Sequence, residues 1–268
     1  MTAAAGSGHP GGSLSAVEIL TTLYFGIMRH DPANSRWPLR DRFILSKGHA
    51  APALYAVLAE AGYFPVSELR TLRKINSRLQ GHPVYWSPPG IEASTGSLGQ
   101  GLSIGLGMAL AARLDHRDYR VFVLLGDGEC QEGQVWEAAL AAGHHRPDNL
   151  IAIVDYNGFQ LDGALRDILD LEPFAAKWEA MRWAVRAIDG HDLPELLDAL
   201  AWATAHAPAC IIARTVKGKG VSFMEGENAY HGVAPTEEEL ARALAELDGA
   251  LLRAEASIER AAARDREA

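Results

Sequence analysis

Residues 121–128 read VFVLLGDG, and residues 150–157 read LIAIVDYN. Each stretch is a short apolar run, rich in β-branched residues, that ends in Gly, Asp or Asn. Continuous apolar strands of this kind are typical of a parallel sheet that is covered on both faces. The pattern predicts buried strands over Val121–Leu125, Leu150–Val154, Val185–Ile188 and Cys210–Ala213.

Helical patterns flank and separate these strands. They predict helices over Leu14–Met28, Gly96–Leu114, Gln134–Gly143 and Leu193–His206. Ser15 and Glu18 have the spacing of a capping box at the start of the first helix. Strands that alternate with helices predict an α/β fold, a doubly wound parallel sheet with helices on both faces. Ligands of such sheets bind beyond the carboxyl ends of the strands, where Gly126–Gly128 and Asp155–Asn157 are expected.

The last part of the chain has a different pattern. Thr236 and Glu239 have the spacing of another capping box, and leucines then recur at helical intervals. We therefore predict one domain over residues 1–234 and a helical C-terminal tail over residues 235–268.

Composition excludes several classes of protein. The 268-residue chain carries a formal net charge of −9, whereas nucleic-acid binding needs a cationic face. No apolar run approaches the roughly 18 residues of a membrane span, and the first residues lack the cationic and apolar regions of a signal peptide. Cys130 and Cys210 are the only cysteines, without a CxxC pair. We expect a cytoplasmic protein with neither nucleic-acid nor membrane partners.

Polar residues follow two neighbouring strands of the predicted sheet. Gly126-Asp127-Gly128 and Asp155-Tyr156-Asn157 each end a buried run, so the side chains of Asp127 and Asn157 are expected to converge above the sheet. A carboxylate and an amide oxygen suit Mg²⁺ or Ca²⁺, with phosphate oxygens and water completing the coordination. Taken singly, a GDG sequence at a strand end is also compatible with a tight turn, and an Asn after a strand is usually a turn residue. Together they predict a metal-diphosphate site.

Four histidines lie in glycine-rich contexts. His9 lies in SGHPGG, His49 ends SKGH, His82 lies in QGHP, and His231 lies in YHG. Each of them alone is compatible with a loop histidine that satisfies backbone groups. Sugar hydroxyls, however, need neutral donor-acceptor groups, and carbonyl chemistry needs a proton relay with a pKa near 7. Several imidazoles on Gly/Pro turns suit a carbohydrate enzyme.

The motifs also match a family in their order. The sequence contains SGHPGGSLSAVEIL, SKGHAAPALYA, QGHP, STGSLGQGLSIGLGMALA, LLGDGECQEGQVWEA, KGKG and YHG, in the order found in transketolases. From about Gly6 to Gly232 the chain resembles the diphosphate-binding part of these thiamine diphosphate enzymes. The resemblance implies a thiamine diphosphate-binding fold, with thiamine diphosphate and Mg²⁺ (or Ca²⁺) as cofactors.

The resemblance assigns roles to individual residues. It implies that Asp127, the side chain of Asn157 and the carbonyl of Phe159 bind the metal ion, although this chain has Tyr156 where relatives often have Asn. It implies that His9, His82 and His231 are catalytic, binding substrate and handling protons. The cofactor-binding residues that it implies are His49, Gly96, Ser97, Leu98, Gly128, Glu132, Asn157 and Lys217. Glu132 resembles a carboxylate at the dimer interface, and it also suits a solvated first-turn residue favoured by the helix dipole.

The resemblance further implies a partner chain. In this family a glutamate on a pyrimidine-binding domain initiates ionisation of the cofactor, and that domain follows this one in single-chain transketolases. The residues after His231 are too few to encode it, and few residues precede Gly6, where relatives usually have a helix. We expect a pyrimidine-binding subunit as partner, the sugar phosphates of ketol transfer as substrates, and a heterotetramer.

Three functions remain open from the sequence alone. The first is transfer of a two-carbon ketol unit from a ketose phosphate to an aldose phosphate. The second is another thiamine diphosphate reaction, of a deoxyxylulose phosphate synthase or a specialised ketol transferase, although SGHPGGS and QGHP favour transketolase over the synthase. The third is a non-catalytic binding subunit. Dinucleotide binding is disfavoured, because Gly99-Gln100-Gly101 follows no strand and lacks the GxGxxG spacing.

Overall fold

In a computed structural model, the chain is built on a five-stranded sheet. The structure describes residues 1–267 and the side chains of residues 1–260, so Ala268 of the predicted tail lies outside the described residues. The strands are β1 (Arg42–Leu45), β2 (Val121–Gly126), β3 (Leu150–Tyr156), β4 (Phe159–Gln160), β5 (Gly163–Ala164), β6 (Ala184–Asp189) and β7 (Ala209–Arg214). The helices are α1 (Thr2–Ala5), α2 (Pro10–Leu14), α3 (Val17–Thr22), α4 (Ala51–Glu60), α5 (Gln100–Leu114), α6 (Gly133–His145), α7 (Leu165–Ile168), α8 (Phe174–Ala180), α9 (Leu193–Ala205) and α10 (Glu237–Glu267).

The sheet is parallel throughout and is covered on both faces. Its strand order is β1-β2-β3-β7-β6. β4 and β5 form a separate two-stranded antiparallel sheet. Because successive side chains of a strand point to opposite faces, Phe122 and Leu124 pack into one core with α3, α4 and α9. Val121, Val123 and Leu125 pack into a second core with α5, α6 and α8. The predicted doubly wound α/β fold is confirmed.

Two strands differ from the prediction. β1 was not predicted; it is a four-residue edge strand that pairs in register with β2, from Arg42 opposite Val121 to Leu45 opposite Leu124. Conversely, β6 was predicted as a buried strand, but it forms the other edge of the sheet and Ile188 is its only fully buried residue. An edge strand has a neighbour on one side only, so its burial is incomplete.

The first predicted helix is wrong in both its extent and its cap. Instead of one helix over Leu14–Met28, α2 and α3 are followed by a π-helix over Leu23–Ile27. Ser15 is not the N-cap of a helix, because Ala16 takes that position in α3 and the hydroxyl of Ser15 donates to the buried carboxylate of Asp155 at 2.6 Å. Instead of accepting from a nearby backbone N–H, as the capping pattern suggested, the hydroxyl donates to a charged acceptor that is distant in sequence.

The glycine-rich helix begins four residues later than predicted, at Gln100. Gly96 and Gly99 have positive φ angles of 134° and 84°, which form a loop rather than a first helical turn. This shift leaves Gly96, Ser97 and Leu98 in the loop that leads into α5.

The C-terminal tail is helical, as predicted, and its cap is the predicted one. Glu239 donates its backbone N–H to the hydroxyl of Thr236 at 3.2 Å, and its carboxylate accepts from the amide of Thr236 at 2.8 Å. Ala243 of α10 packs into a small third core with Val221 and Met224. Over the part of the chain that the structure describes, no helix combines the length and apolar character that a membrane crossing requires.

Candidate functional site

The turns after β2 and β3 meet at the carboxyl edge of the sheet. Gly126 pairs in register with Asp155, which brings Asp127 beside the residues that follow β3. The buried carboxylate of Asp127 accepts hydrogen bonds from the amide of Gly128 at 2.8 Å and from the amide of Gly158 at 2.5 Å. Two strands thus deliver the predicted metal-binding turns to one place.

The remaining predicted metal ligands lie in the same turn region. The side-chain oxygen of Asn157 accepts from the backbone N–H of Phe159 at 3.1 Å, which orients the amide group. A Cβ atom on Gly128 would lie 2.7 Å from Cβ of Gln160 and 3.5 Å from the carbonyl oxygen of Phe159. Glycine is therefore required at position 128 for the two turns to approach each other.

These turns border an open cavity. Nine of the predicted site residues line it, namely His49, Leu98, Asp127, Gly128, Glu132, Asn157, Phe159, Lys217 and His231. Gly12, Lys47, Gly126, Glu129, Gln131, Gln160 and Leu161 complete the lining. The structure thus gathers at one site residues from almost the whole length of the chain.

The donor set of the cavity fits a divalent cation. Burial, and secondly the neighbouring charge of Asp155, raise the pKa of Asp127 to about 7. A divalent ion beside such a carboxylate would favour its charged form. Among the described residues no three His, Cys, Asp or Glu side chains form a metal site. Asn157 and the Phe159 carbonyl are instead suited to complete an oxygen-only set.

A buried lysine contributes positive charge to the cavity. The ammonium group of Lys217 is hydrogen-bonded to the side-chain oxygen of Asn228 at 2.6 Å and to Nδ1 of His231 at 3.1 Å. Lys217 is 1% exposed, and burial lowers its pKa to about 8. Because Nδ1 of His231 accepts from the ammonium, the neutral imidazole carries its proton on Nε2. The pair presents cationic and neutral donors suited to an anionic ligand.

The four predicted histidines form one cluster. The ring centroid of His9 lies 5.3 Å from that of His49, 5.6 Å from that of His231 and 6.2 Å from that of His82. Burial lowers the pKa of His9 and of His231 to about 4, and nearby cations add to the effect. These two histidines are therefore neutral near pH 7 and serve as donor-acceptor groups.

Four predicted site residues lie beside the cavity rather than on its lining. They are His9, His82, Gly96 and Ser97. Gly96 packs so closely on His82 that a Cβ atom would lie 2.9 Å from its ring. Ser97 is exposed. Glu132 lines the cavity but is exposed, and it is the N-cap residue of α6 without a side-chain capping bond.

A buried ionic centre beneath the cavity was not predicted from the sequence. Asp155 is fully buried and accepts from the hydroxyls of Ser15 and Thr215 and from the ammonium of Lys47. Lys47 also donates to the carbonyl of Gly12 at 3.0 Å. The positions of Lys47 in SKGH and of Asp155 at a strand end were the available signals. Asp155 thereby connects three separate segments of the chain, those of Ser15, Lys47 and Thr215, to the end of β3.

A second residue missed in the sequence is Glu129, which is 2% exposed. Its carboxylate accepts from the hydroxyl of Ser46 and from the backbone N–H groups of Gly99 at 2.9 Å and Gly126 at 3.1 Å. A buried carboxylate must be satisfied in this way, because an unpaired one is costly. Glu129 thus connects the segment after β1, the loop before α5 and the end of β2 beside the cavity.

The fold and the site define a class of protein, an α/β domain whose cavity at the carboxyl edge of the sheet is suited to an anionic cofactor. The sequence model of the family described as "Transketolase, thiamine diphosphate binding domain" matches residues 1–249. The chain belongs to this family.

Relatives of two lengths match the chain. It is 49% identical, over 91% of its length and 89% of the relative, to the 6-deoxy-6-sulfo-D-fructose transketolase subunit SqwG of Clostridium sp. (strain MSTE9). It is 45% identical, over 90% of its length and 87% of the relative, to an apulose-4-phosphate transketolase subunit of Actinobacillus succinogenes. It is 48% identical to the transketolase of Mus musculus over 86% of its length, but over 37% of that protein.

Solved structures agree with this assignment. The chain superimposes on the transketolase of Campylobacter jejuni with a TM-score of 0.86 and 36% identity, covering 90% of this chain and 39% of that one. The transketolase of Leishmania mexicana gives a TM-score of 0.85 and 32% identity, with 91% and 38% covered. The predicted relation to transketolases is confirmed, and the chain spans about two fifths of the single-chain enzymes.

Proposed function

We propose that this chain is the diphosphate-binding subunit of a two-chain transketolase that binds thiamine diphosphate with Mg²⁺. The observation that carries the proposal is the meeting of Asp127 and Asn157 at the ends of β2 and β3, in one cavity with His49, Lys217 and His231. The buried Asp127 carboxylate, whose pKa is raised by burial, fits an ion at this point because a cation would stabilise its charge.

We propose two sets of roles for the residues in and beside the cavity, metal binding and cofactor binding. Asp127, the Asn157 side chain and the Phe159 carbonyl hold the metal ion, either Mg²⁺ or Ca²⁺. When bound, thiamine diphosphate supplies a carbon nucleophile and an electron sink for chemistry at a carbonyl. Glu132 lies at the rim of the cavity, where its exposed side chain is free to face a partner subunit. The cofactor is held by His49, Gly96, Ser97, Leu98, Gly128, Glu132, Asn157 and Lys217.

The histidine cluster suits the handling of sugar hydroxyls. His9, His82 and His231 are proposed to bind substrate and move protons, since the rings of His82 and His231 lie 6.2 and 5.6 Å from that of His9 and His231 lines the cavity. Burial lowers the pKa of His9 and of His231 to about 4, below the value near 7 expected from the sequence for a proton relay, and keeps both rings neutral. Because Nδ1 of His231 accepts from Lys217, His231 offers its Nε2–H group as a donor. A neutral ring binds a hydroxyl group without attracting a competing anion.

The proposed partner is a chain that supplies the pyrimidine-binding domain. The relatives that match this chain in length are named transketolase subunits, whereas single-chain relatives are covered over about two fifths of their length. We propose a heterotetramer of two such chains and two partners, with residues 1–234 as the cofactor domain and residues 235–268 as the tail. The buried free thiols of Cys130 and Cys210 are compatible with a reducing cytoplasm.

The proposed reaction is transfer of a two-carbon ketol unit from a ketose phosphate to an aldose phosphate. A specialised donor is the second candidate, because the relatives that match this chain in length are named for 6-deoxy-6-sulfo-D-fructose and apulose 4-phosphate. Sequence identity does not separate the two candidate reactions, because the chain is 49% identical to the 6-deoxy-6-sulfo-D-fructose transketolase subunit and 48% identical to mouse transketolase. Both donor types therefore belong in the assay.

The test uses the chain copurified with its pyrimidine-domain partner. Xylulose 5-phosphate, 6-deoxy-6-sulfo-D-fructose and apulose 4-phosphate serve as donors, with ribose 5-phosphate and glyceraldehyde 3-phosphate as acceptors. The complex is expected to transfer the ketol unit only with thiamine diphosphate and Mg²⁺, and the isolated chain to be about 10²–10⁴-fold slower. A well-folded complex that takes up neither Mg²⁺ nor thiamine diphosphate would refute the proposal.

A further inference from the structure

His191 lies outside the cavity, in the turn between β6 and α9. Its side chain is 12% exposed. Its Nε2 atom accepts a hydrogen bond of 2.8 Å from the backbone N–H of Val216. Val216 directly precedes Lys217, which lines the cavity. The imidazole is thus bonded to the backbone of the loop that carries a buried cation.

A carboxylate lies beside the other nitrogen of this ring. Nδ1 of His191 lies 3.1 Å from Oε1 of Glu18, in α3. Because Nε2 accepts from an amide, the neutral ring carries its proton on Nδ1, facing the carboxylate. The contact with Glu18 is electrostatic, since it lacks the alignment of a hydrogen bond. Glu18 therefore favours the tautomer that leaves Nε2 as the acceptor.

The neighbouring backbone packs tightly against the same loop. A Cβ atom on Gly190 would lie 2.5 Å from Cγ2 of Thr215 and 3.0 Å from the carbonyl oxygen of Arg214. The amide of Gly190 also donates to that carbonyl at 2.7 Å. The turn after β6 therefore packs directly against Arg214 and Thr215, at the end of β7. His191 has little freedom to move away from Val216.

We propose that His191 is a positioning residue for the diphosphate-binding loop. By holding the amide of Val216, it fixes the backbone from which Lys217 extends toward Asn228 and His231. This assignment rests on the proposed function of the cavity. It differs from the proposed cofactor contacts, because His191 does not line the cavity and acts through another residue.

The first test measures hydrogen exchange in the full chain without cofactor. His191→Leu removes the acceptor, whereas His191→Gln offers an amide oxygen of similar reach. His191→Leu is expected to raise exchange of residues 215–219 by about fivefold, the loss of one ordinary hydrogen bond, and His191→Gln to restore most of the protection. His144→Leu, at an exposed site on α6, is the control and is expected to leave this segment unchanged.

The second test measures cofactor binding by the two-chain complex. His191→Leu is expected to raise the Kd for thiamine diphosphate by about five- to tenfold, with His191→Gln intermediate and the Kd for Mg²⁺ alone unaltered. At saturating cofactor, kcat is expected to change less than the Kd does. A general loss of structure would instead lower kcat, cofactor affinity and thermal stability together.

The two tests separate the inference from the function on which it rests. A wild-type complex that binds no cofactor would refute the proposed function, and hydrogen exchange would still decide the role of His191. Exchange and a cofactor Kd that stay within about twofold of wild type in His191→Leu would overturn the inference. Should the leucine variant fail to fold, His191→Asn replaces it, because its polar side chain is too short to reach Val216.

Discussion

The amide of Gly158 donates a hydrogen bond of 2.5 Å to Oδ2 of Asp127, so the turn after β3 is joined directly to the turn after β2. Oδ1 of the same carboxylate accepts from Gly128. One buried acidic group therefore organises both turns that border the cavity. A cation that binds there would meet a backbone that these two hydrogen bonds already hold in place.

Asp127→Asn tests the metal site. Wild-type complex with thiamine diphosphate at about 100 times its Kd should gain roughly 2.7 kcal/mol of stability, and the gain should require Mg²⁺. The variant is expected to lose this gain, because the amide removes the charge that attracts the ion. Thermal unfolding with and without Mg²⁺ measures the effect. Asp167→Asn, whose side chain is 69% exposed, is the matched control and should keep the full shift.

Gly128→Ala tests the close approach of the two turns. The added Cβ atom would lie 2.7 Å from Cβ of Gln160, so the turns must separate. We expect a loss of about 1–3 kcal/mol in the free energy of unfolding, measured by urea denaturation. Gly133→Ala is the control, since a Cβ atom there meets no atom within 4 Å. Equal effects of the two substitutions would contradict the tight packing.

The lowered pKa of His9 predicts a pH-dependent stability. An unfolded histidine titrates at about pH 6.5, whereas the folded His9 titrates at about 4. Between these values the unfolded chain binds more protons, so the stability contributed by His9 is present above about pH 6.5 and declines as the pH falls toward 4. The free energy of unfolding is measured for wild type and for His9→Asn across this range. Relative to wild type, the variant should become more stable as the pH falls.

The control for this pH series is His144→Asn, which replaces an exposed histidine on α6. Comparison with wild type at every pH cancels the contribution of the buried carboxylates, which both proteins share. A difference between wild type and His9→Asn that stays constant from pH 7 to pH 4 would show that His9 titrates normally in the folded chain.

Ser15 and Thr236 each begin a sequence pattern with the spacing of a capping box. Ser15→Ala and Thr236→Ala test the different contacts that these two residues make in the structure. The hydroxyl of Ser15 donates to the buried carboxylate of Asp155, so its loss is expected to cost about 1.5–3 kcal/mol. Thr236 caps the exposed start of α10, and its loss is expected to cost about 1 kcal/mol or less. Urea denaturation measures both. A larger effect of Thr236→Ala would show that Ser15 contributes less than its buried contact implies.

Much of the architecture was predictable because its signals are local. The apolar runs of β2, β3 and β7 and the residues that follow them predicted the sheet and the position of the cavity. The Thr236–Glu239 capping box was predictable for the same reason, since both partners lie within one helical turn. The position of Asp127 and Asn157 at this edge of the sheet was predictable because each directly follows a strand.

What the sequence alone determined was most of the strands, the order of the motifs and the chemical types gathered at their ends. Only the tertiary structure decided which partner each polar group takes. Ser15 bonds to Asp155 rather than serving as a helix N-cap, and Lys47 forms an ion pair with the same carboxylate. Glu129 and His191 support the cavity from positions that no local pattern marks. The physical reason is that a buried polar group must find a partner wherever the fold provides one, and that partner is often distant in sequence.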